Sequence, residues 1–286
     1  MEKKYFMCFL VLASLHCGCV TKNINTDNKL GGIESQEVNN SGVQANKITI
    51  SQYNSIRREQ LEEANLPQPS SLKEIAGRVD DDDRNRIIFI DIDRGENIES
   101  LEGMGLFPNL ETLIIYKSRI KRITGDPVYN PYFRDIFIES DDLEDISDIV
   151  LFKNMERIGI KSNSLNYFPS ISHMENLRWL SIEGKTGIIF NKLKLPSNIR
   201  LIQLENCNIE SLEEVMSLFY ACSFLYLARN SIKEIDWNMN FGTVKVINLA
   251  GCPVAEDKRN WDNNGYIRVN DTKFQNFFTY EAYDNY

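Results

Sequence analysis

The chain carries a pattern of three apolar residues that returns eight times. In each copy the second apolar residue follows the first by three positions, and the third follows the second by two. Middle residues of successive copies are 22 or 23 residues apart. The eight triplets are Ile87/Ile90/Ile92, Leu110/Leu113/Ile115, Phe133/Ile136/Ile138, Met155/Ile158/Ile160, Leu177/Leu180/Ile182, Ile199/Ile202/Leu204, Cys222/Leu225/Leu227 and Val244/Ile247/Leu249. A fixed period of this size predicts a solenoid, in which each copy forms one coil.

Each triplet predicts a short β-strand with two different sides. In the fifth copy Leu180 and Ile182 face one side and Trp179, Ser181 and Glu183 face the other, because side chains alternate along a strand. A fourth apolar residue follows the third by five or six positions and turns the chain away from the strand. One such unit cannot bury its apolar side alone, so we expect neighbouring coils to share one continuous core.

The clearest copies are LRWLSIEG, IRLIQLENCNIESL and CSFLYLARNSIKEI. They resemble the leucine-rich repeat family, closest to its bacterial internalin and phosphatase-regulator types. The resemblance covers residues 87–254. It implies an α/β repeat solenoid with a parallel β-sheet on the concave face and short helices, 3-10 turns or loops on the convex face.

The resemblance also implies a buried ladder of polar side chains, with Asn or Cys bonded to the backbone once per coil. Its positions hold Gly95, Ser118, Asp141, Asn163, Lys185, Cys207, Asn230 and Cys252. Gly95 and Lys185 depart from the pattern, so we expect loosened coils there. The buried cysteines Cys207, Cys222 and Cys252 are expected to act as small apolar groups rather than as disulfide partners.

The N-terminus resembles an export signal. An apolar run from Tyr5 to Leu15 follows two lysines and is too short to span a bilayer. The segment SLHCGCV after it resembles a bacterial lipobox, which implies lipid attachment at Cys19, with Cys17 as the alternative. An ordinary cleaved signal peptide is the other possibility. Val20 and Thr21 lack the Asp that retains some lipoproteins in the inner membrane, so the outer membrane or cell surface is favoured.

We therefore expect a signal peptide at 1–18, a lipid-anchored flexible tether at 19–47, an N-terminal cap at 48–86, the repeats at 87–254 and a C-terminal cap at 255–286. Asn54–Glu63 has helical composition, and Ser71 could cap a helix. The C-terminal segment contains eight aromatic residues that either cover the last coil or form an exposed patch. These are Trp261, Tyr266, Phe274, Phe277, Phe278, Tyr280, Tyr283 and Tyr286.

The composition indicates binding rather than chemistry. A net charge of −9 argues against nucleic-acid binding. Past the signal peptide the only histidine is His173, and no catalytic motif is recognisable, so we expect no enzyme activity, no cofactor and no small-molecule substrate. The acidic run from Asp80 to Asp83 is interpreted as a solvated turn, with a Ca²⁺ site as the alternative.

The outward strand positions predict where a partner binds, because several of them carry large apolar residues that the core does not need. These candidate partner-binding residues are Trp179, Leu201, Phe224, Tyr226, Val246, Tyr116 and Phe137. A third outward column is acidic, which suggests a partner with basic groups. Strand preference for aromatic residues and self-association are the alternatives.

The sequence therefore predicts a non-catalytic protein, anchored to the membrane through its N-terminal lipid, that binds a protein partner on the concave face. An adhesin is one form of this hypothesis. A periplasmic structural or assembly scaffold is the alternative.

Overall fold

The structure is a computed structural model that describes residues 47–48, 50, 54–63, 67–123, 130–236, 238–256 and 266–268. The signal peptide, both candidate lipid-attachment cysteines, almost all of the tether and most of the C-terminal aromatic residues lie outside these ranges. Within the described ranges, no helix has the length and apolar character needed to cross a membrane.

One sheet of ten strands runs through the described part of the chain, with the strands in sequence order from edge to edge. Its strands are β1 (Ser55–Arg57), β2 (Phe89–Ile92), β3 (Thr112–Ile115), β4 (Asp135–Glu139), β5 (Arg157–Lys161), β6 (Trp179–Glu183), β7 (Ile199–Glu205), β8 (Cys222–Tyr226), β9 (Val246–Asn248) and β10 (Tyr266–Arg268). Strands β1 to β9 are parallel, and β10 runs antiparallel to β9.

The eight repeats lie in register. The middle residue of each triplet pairs with the middle residue of the next, as Leu180 does with Ile158 on one side and Ile202 on the other. All three residues of every triplet are buried, as the period predicts. Because each strand buries one side in this way, the coils share a single apolar core that runs beneath the sheet.

Short 3-10 helices return the chain to the start of the next strand. They span Met104–Leu106, Ser147–Leu151, Phe190–Lys192, Leu212–Tyr220 and Pro253–Glu256. The longest begins with a capping box, in which Ser211 and Glu214 satisfy each other's backbone N–H groups. A parallel sheet on one side and 3-10 helices on the other make this a leucine-rich repeat solenoid, which confirms the predicted fold class.

The segment before the first repeat extends the sheet by one strand. The helix predicted from the composition of Asn54–Glu63 is present only in the second half of that segment, as helix α1 (Arg58–Glu63). In the first half, Ser55–Arg57 forms strand β1 and pairs with β2. Helix α2 (Leu72–Ala76) begins at Ser71, whose hydroxyl accepts from the Glu74 N–H at 3.3 Å.

The acidic run forms a short helix, α3 (Asp81–Arg84), rather than an open turn. Three of the four carboxylates in the run are paired with basic side chains: Asp80 with Lys47, Asp81 with Arg84 and Asp83 with Arg86.

The polar ladder is most complete at Asn230. Its Oδ1 accepts from the N–H groups of Cys207 and Ile209 at 2.8 and 3.1 Å, and its Nδ2 donates to the carbonyls of Leu204 and Leu227 at 2.7 and 2.9 Å. The thiol of Cys252 donates to the Leu227 carbonyl at 3.2 Å. The side chain of Asn230 therefore ties two successive coils together, as the resemblance implies.

Two ladder positions were predicted one residue too late. Ser140 and Ser162, rather than Asp141 and Asn163, are buried and donate to the carbonyls of Ile120 and Leu143. The physical reason is the turn after the strand. Where a residue with positive φ such as Asn206 follows the strand, the ladder residue comes one position later, and in these two coils no such residue intervenes.

The loosening expected at Gly95 and Lys185 is also wrong, because the sheet stays in register on both sides of β2 and β6. Gly95 lies so close to the next coil that an added Cβ would meet Ile115 Cγ2 at 2.7 Å. The exposed Lys185 keeps its backbone bonded to Asn163 Oδ1 at 3.0 Å.

Candidate partner-binding face

The side of the sheet turned away from the core is here called the open face. Its central column consists of the residues that precede the middle residue of each triplet, one from each strand. Register places them side by side in the order Phe89, Thr112, Asp135, Arg157, Trp179, Leu201, Phe224 and Val246. The character of this column changes sharply between β5 and β6.

The column residues on β3 to β5, here called its first half, form a polar network. Asp135 is only 6% exposed, and its carboxylate accepts from Arg157 Nε at 2.7 Å and from Arg157 Nη2 at 2.6 Å. Thr112 donates to the same carboxylate at 3.1 Å. A buried carboxylate with two bonds to one guanidinium and a third to a hydroxyl is well satisfied. This half therefore uses its polar groups internally.

The second half of the column is apolar. We name Trp179, Leu201, Phe224 and Val246, together with the adjacent Tyr226, the apolar strip. All five side chains are partly exposed, so the fold does not draw them into the core. At about 4.8 Å per strand, the four column residues span roughly 15 Å. Such a strip offers apolar area to a second molecule.

Tyr116 and Phe137, which the sequence assigns to the exposed binding face, are buried. They are only 6% and 4% exposed. Their rings pack against each other across β3 and β4, with centroids 5.0 Å apart. The expectation that these two side chains form exposed surface is wrong, because alternation along a strand does not reveal how closely neighbouring rings pack over it.

The acidic outward column is largely neutralised by its own neighbours. Lys161 lies 3.2 Å from Glu139 and 3.9 Å from Glu183. Arg229 reaches Glu183 at 3.0 Å and Glu205 at 2.7 Å. We name these five residues the ion-pair ladder. Burial raises the pKa of Glu183, and the charges of Lys161 and Arg229 oppose that rise.

The ion-pair ladder corrects the predicted chemistry of the partner. The sequence suggests basic groups on the partner because the column contains several carboxylates. Lys161 and Arg229 supply those basic groups from within the chain. The column therefore gives no reason to expect a basic partner.

A buried carboxylate that the sequence did not single out lies near the other end of the open face. Asp91 is 8% exposed, and its Oδ1 has no hydrogen-bond partner among the described residues. Burial raises the pKa of Asp91 to about 6, with smaller contributions from Asp93 and Glu59, while Arg57 opposes them. Sequence alone could not find it, because Asp91 is one of several acidic residues in this segment.

The described residues include one histidine and three cysteines, the side chains most often used in metal binding and nucleophilic chemistry. No three His, Cys, Asp or Glu side chains come together as metal ligands within the described ranges. His173 is exposed, and its Nε2 lies 3.1 Å from the Val150 carbonyl. Burial raises the pKa of the Cys222 thiol to about 12 and also raises that of Cys207.

Comparison with solved structures finds internalins at low identity. An internalin C2 from Listeria monocytogenes is 13% identical, with a TM-score of 0.38, over 62% of this chain and 90% of that one. The functional domain of InlJ from Listeria monocytogenes is 15% identical, with a TM-score of 0.38, over 59% of this chain and 41% of that one. The chain thus spans less than half of the InlJ domain. No protein-family model and no curated protein matches it.

Proposed function

We propose that this chain is a non-catalytic binding protein that holds a protein partner on the apolar strip. The single observation that carries the proposal is the change along the central column. On β6 to β9 the column consists of four partly exposed apolar side chains in register, whereas on β3 to β5 the same column holds a polar network. Contiguous exposed apolar surface marks interaction sites, and Trp and Tyr are frequent anchors in them.

The preference of strands for aromatic residues is a weaker explanation of the strip. Thr112, Asp135 and Arg157 occupy the same column in strands of the same sheet. The strand position therefore accepts polar residues when they satisfy each other. Apolar residues at the next four positions are not required by the backbone, which favours a role at the surface.

Site-specific photo-crosslinking in intact cells tests this proposal. A photoreactive phenylalanine analogue replaces Leu201 in the full chain, and the matched control replaces Leu151, which is exposed in a 3-10 helix on the opposite side of the coil. We expect a discrete adduct with another protein from position 201 and none from position 151. The double substitution Trp179→Ser and Phe224→Ser should remove that adduct.

Other outcomes count against the proposal. An adduct of twice the mass of the chain would instead identify self-association. Equal labelling from both positions, or none from position 201, would mean that the strip binds no protein partner.

We further propose that the chain is anchored in a bacterial envelope through a lipid on Cys19, as an adhesin or, alternatively, as a periplasmic scaffold. The support is the segment SLHCGCV and the polar stretch that follows it. Cys19→Ala should release the protein from the membrane fraction, and Cys17→Ala should not. The opposite result would move the anchor to Cys17.

Protease added to intact cells separates the two roles. Loss of this chain with a periplasmic control intact would support an adhesin. Protection of both proteins would support the scaffold.

A further inference from the structure

The edge of the open face beside the apolar strip is basic. In each of the last four coils, the residue just before the column residue lies at this edge. These residues are Arg178, Arg200, Ser223 and Lys245. We name Arg178, Arg200 and Lys245 the basic edge. This row runs parallel to the strip, and at about 4.8 Å per strand its ends are roughly 15 Å apart. These four positions hold three basic residues and no acidic one, although the chain as a whole has a net charge of −9.

The same row has no excess of positive charge beside the polar half of the column. There it holds Glu111, Arg134 and Glu156 in successive coils. Arg134 is paired with Glu111 and lies 3.8 Å from Glu156. The excess of positive charge along this row therefore begins where the apolar strip begins.

Nothing on the described part of the chain neutralises the two ends of the basic edge. Arg178 donates to the backbone carbonyls of Glu175 and Leu177 at 2.7 and 3.2 Å. Lys245 is exposed, and neither its side chain nor that of Arg178 forms an ion pair within the described ranges. The guanidinium of Arg200 lies 5.9 Å from the centre of the Phe224 ring, so this cation stands directly beside the strip.

The opposite flank of the strip offsets only part of this charge. There the carboxylates of Glu183 and Glu205 are bound to Arg229 in the ion-pair ladder. A molecule lying on the strip thus meets Arg178 and Lys245, which form no ion pair within the described ranges, on one flank and carboxylates already bound to Arg229 on the other. Complementary charge at a rim guides association and sets the orientation of the partner.

We infer that the segment bound on the apolar strip is an acidic stretch of another protein, in which Asp or Glu residues are interspersed among apolar ones. This inference rests on the proposed function of the strip. The apolar side chains lie on Leu201, Phe224 and Val246, and the carboxylates face the basic edge. The bound segment takes one orientation, because only one flank attracts its acidic residues.

Three synthetic twelve-residue peptides test the inference with the full chain purified in detergent. They share the same Trp, Leu and Phe residues and carry Glu, Gln or Lys at the same interspersed positions. Fluorescence polarisation should give at least about tenfold tighter binding for the Glu peptide than for the Gln peptide, and the weakest binding for the Lys peptide. Raising NaCl from about 0.05 to about 0.5 M should remove most of this preference, because exposed charges are then screened.

Charge reversal identifies the residues responsible. Arg178→Glu with Lys245→Glu should reverse the order, so that the Lys peptide binds best. The matched control, Lys192→Glu with Lys233→Glu, changes net charge equally at exposed positions outside the strands and should keep the original order. If the reversed variant melts early, Arg178→Gln with Lys245→Gln should still abolish the preference for Glu over Gln.

The two hypotheses fail in different ways. Equal affinity for the three peptides, with binding lost in Trp179→Ser/Phe224→Ser, would overturn the acidic segment and leave the strip as a binding site. Binding of no peptide, or binding unaffected by the serine substitutions, would also overturn the acidic segment. The crosslink from position 201 would then decide separately whether the strip binds a protein at all.

Discussion

The two halves of the central column differ although they have the same backbone. On β3 to β5 the column is Thr112, Asp135 and Arg157, joined by hydrogen bonds of 2.6–3.1 Å. On β6 to β9 it is the apolar strip, with every member partly exposed. Register is continuous across the boundary, since Arg157 pairs with Trp179.

The difference shows how one repeat position can serve two purposes. Buried polar groups must find partners, and in the first half they find them within the chain. That half consequently gains local order and offers little to a second molecule. The second half leaves the largely apolar side chains of Leu201, Phe224 and Val246 partly exposed on the open face. Removing individual residues from each half should therefore give opposite patterns of stability and binding.

The largest loss of stability is expected from Asn230→Ala, in the coils that carry the strip. Four backbone groups lose their buried partner, which should lower the free energy of unfolding by about 4 kcal/mol in urea titrations. Asn163, another Asn that follows a strand but lies outside the buried ladder, is exposed and bonds to Lys185 N–H and the Asp141 side chain. Asn163→Ala should cost less than about 1 kcal/mol. Equal losses would show that burial does not distinguish the two positions.

A smaller loss is expected from breaking the polar half of the column. Asp135→Ala leaves the Arg157 guanidinium largely buried without its carboxylate, at a cost of about 3 kcal/mol by the same titration. Asp135→Leu combined with Arg157→Met should recover most of that stability, because two apolar groups replace the pair together. If the double variant were as unstable as the single one, packing rather than charge pairing would explain the effect.

Asp91→Asn should instead stabilise the protein at neutral pH. The pKa of Asp91 rises from 3.8 to about 6 on folding, so the folded state binds the proton more tightly and stability falls as pH rises from about 4 to 6. Such a rise corresponds to roughly 3 kcal/mol, and relaxation of the surroundings should reduce the gain in Asp91→Asn to about 2 kcal/mol at pH 7.5.

Thermal unfolding across pH checks this prediction. The stabilisation by Asp91→Asn should vanish below about pH 4, because Asp91 in the original protein is then protonated and uncharged, like the Asn that replaces it. Asp93→Asn, which removes an exposed carboxylate just after β2, should reduce the difference between pH 4 and 7.5 only slightly, because burial rather than Asp93 is the main cause of the raised pKa of Asp91. A stabilisation independent of pH would mean that the ionisation of Asp91 is not its cause.

The smallest effect on stability is expected in the apolar strip. Trp179→Ser with Phe224→Ser removes partly exposed side chains and should change the free energy of unfolding by only about 1 kcal/mol, while abolishing the crosslink from position 201. Circular dichroism melts and the crosslinking assay measure both quantities on the same variant. A double variant that unfolds would show that these residues belong to the core.

The spacing of apolar residues was sufficient to predict the fold and the strip. A constant step between middle residues such as Leu180 and Ile202 sets the register, and alternation then assigns Leu201 and Phe224 to the open face. The cysteines of the ladder followed in the same way, because Cys207 and Cys252 occupy the repeat position of Asn230. These features depend only on position within the period.

Interactions between long side chains of different coils could not be predicted in this way. Arg229 bonds to Glu183, which is 46 residues away, and this contact depends on the positive φ of Arg229 and on the rotamers of both side chains. The burial of Tyr116 against Phe137 likewise depends on ring packing across two strands. A repeat pattern predicts which face of the sheet a residue occupies, but it does not predict which side chain of another coil that residue contacts.

The reach of Arg229 also bears on how the solenoid unfolds. In a stack of coils that contact only their immediate neighbours, the free energy is a sum of terms from each coil and each interface, and the ends can fray one coil at a time. Arg229 joins carboxylates in both of the two preceding coils, at Glu205 and Glu183. Fraying of its own coil therefore removes contacts from two others, so the three coils bearing most of the apolar strip open more nearly as one cooperative block.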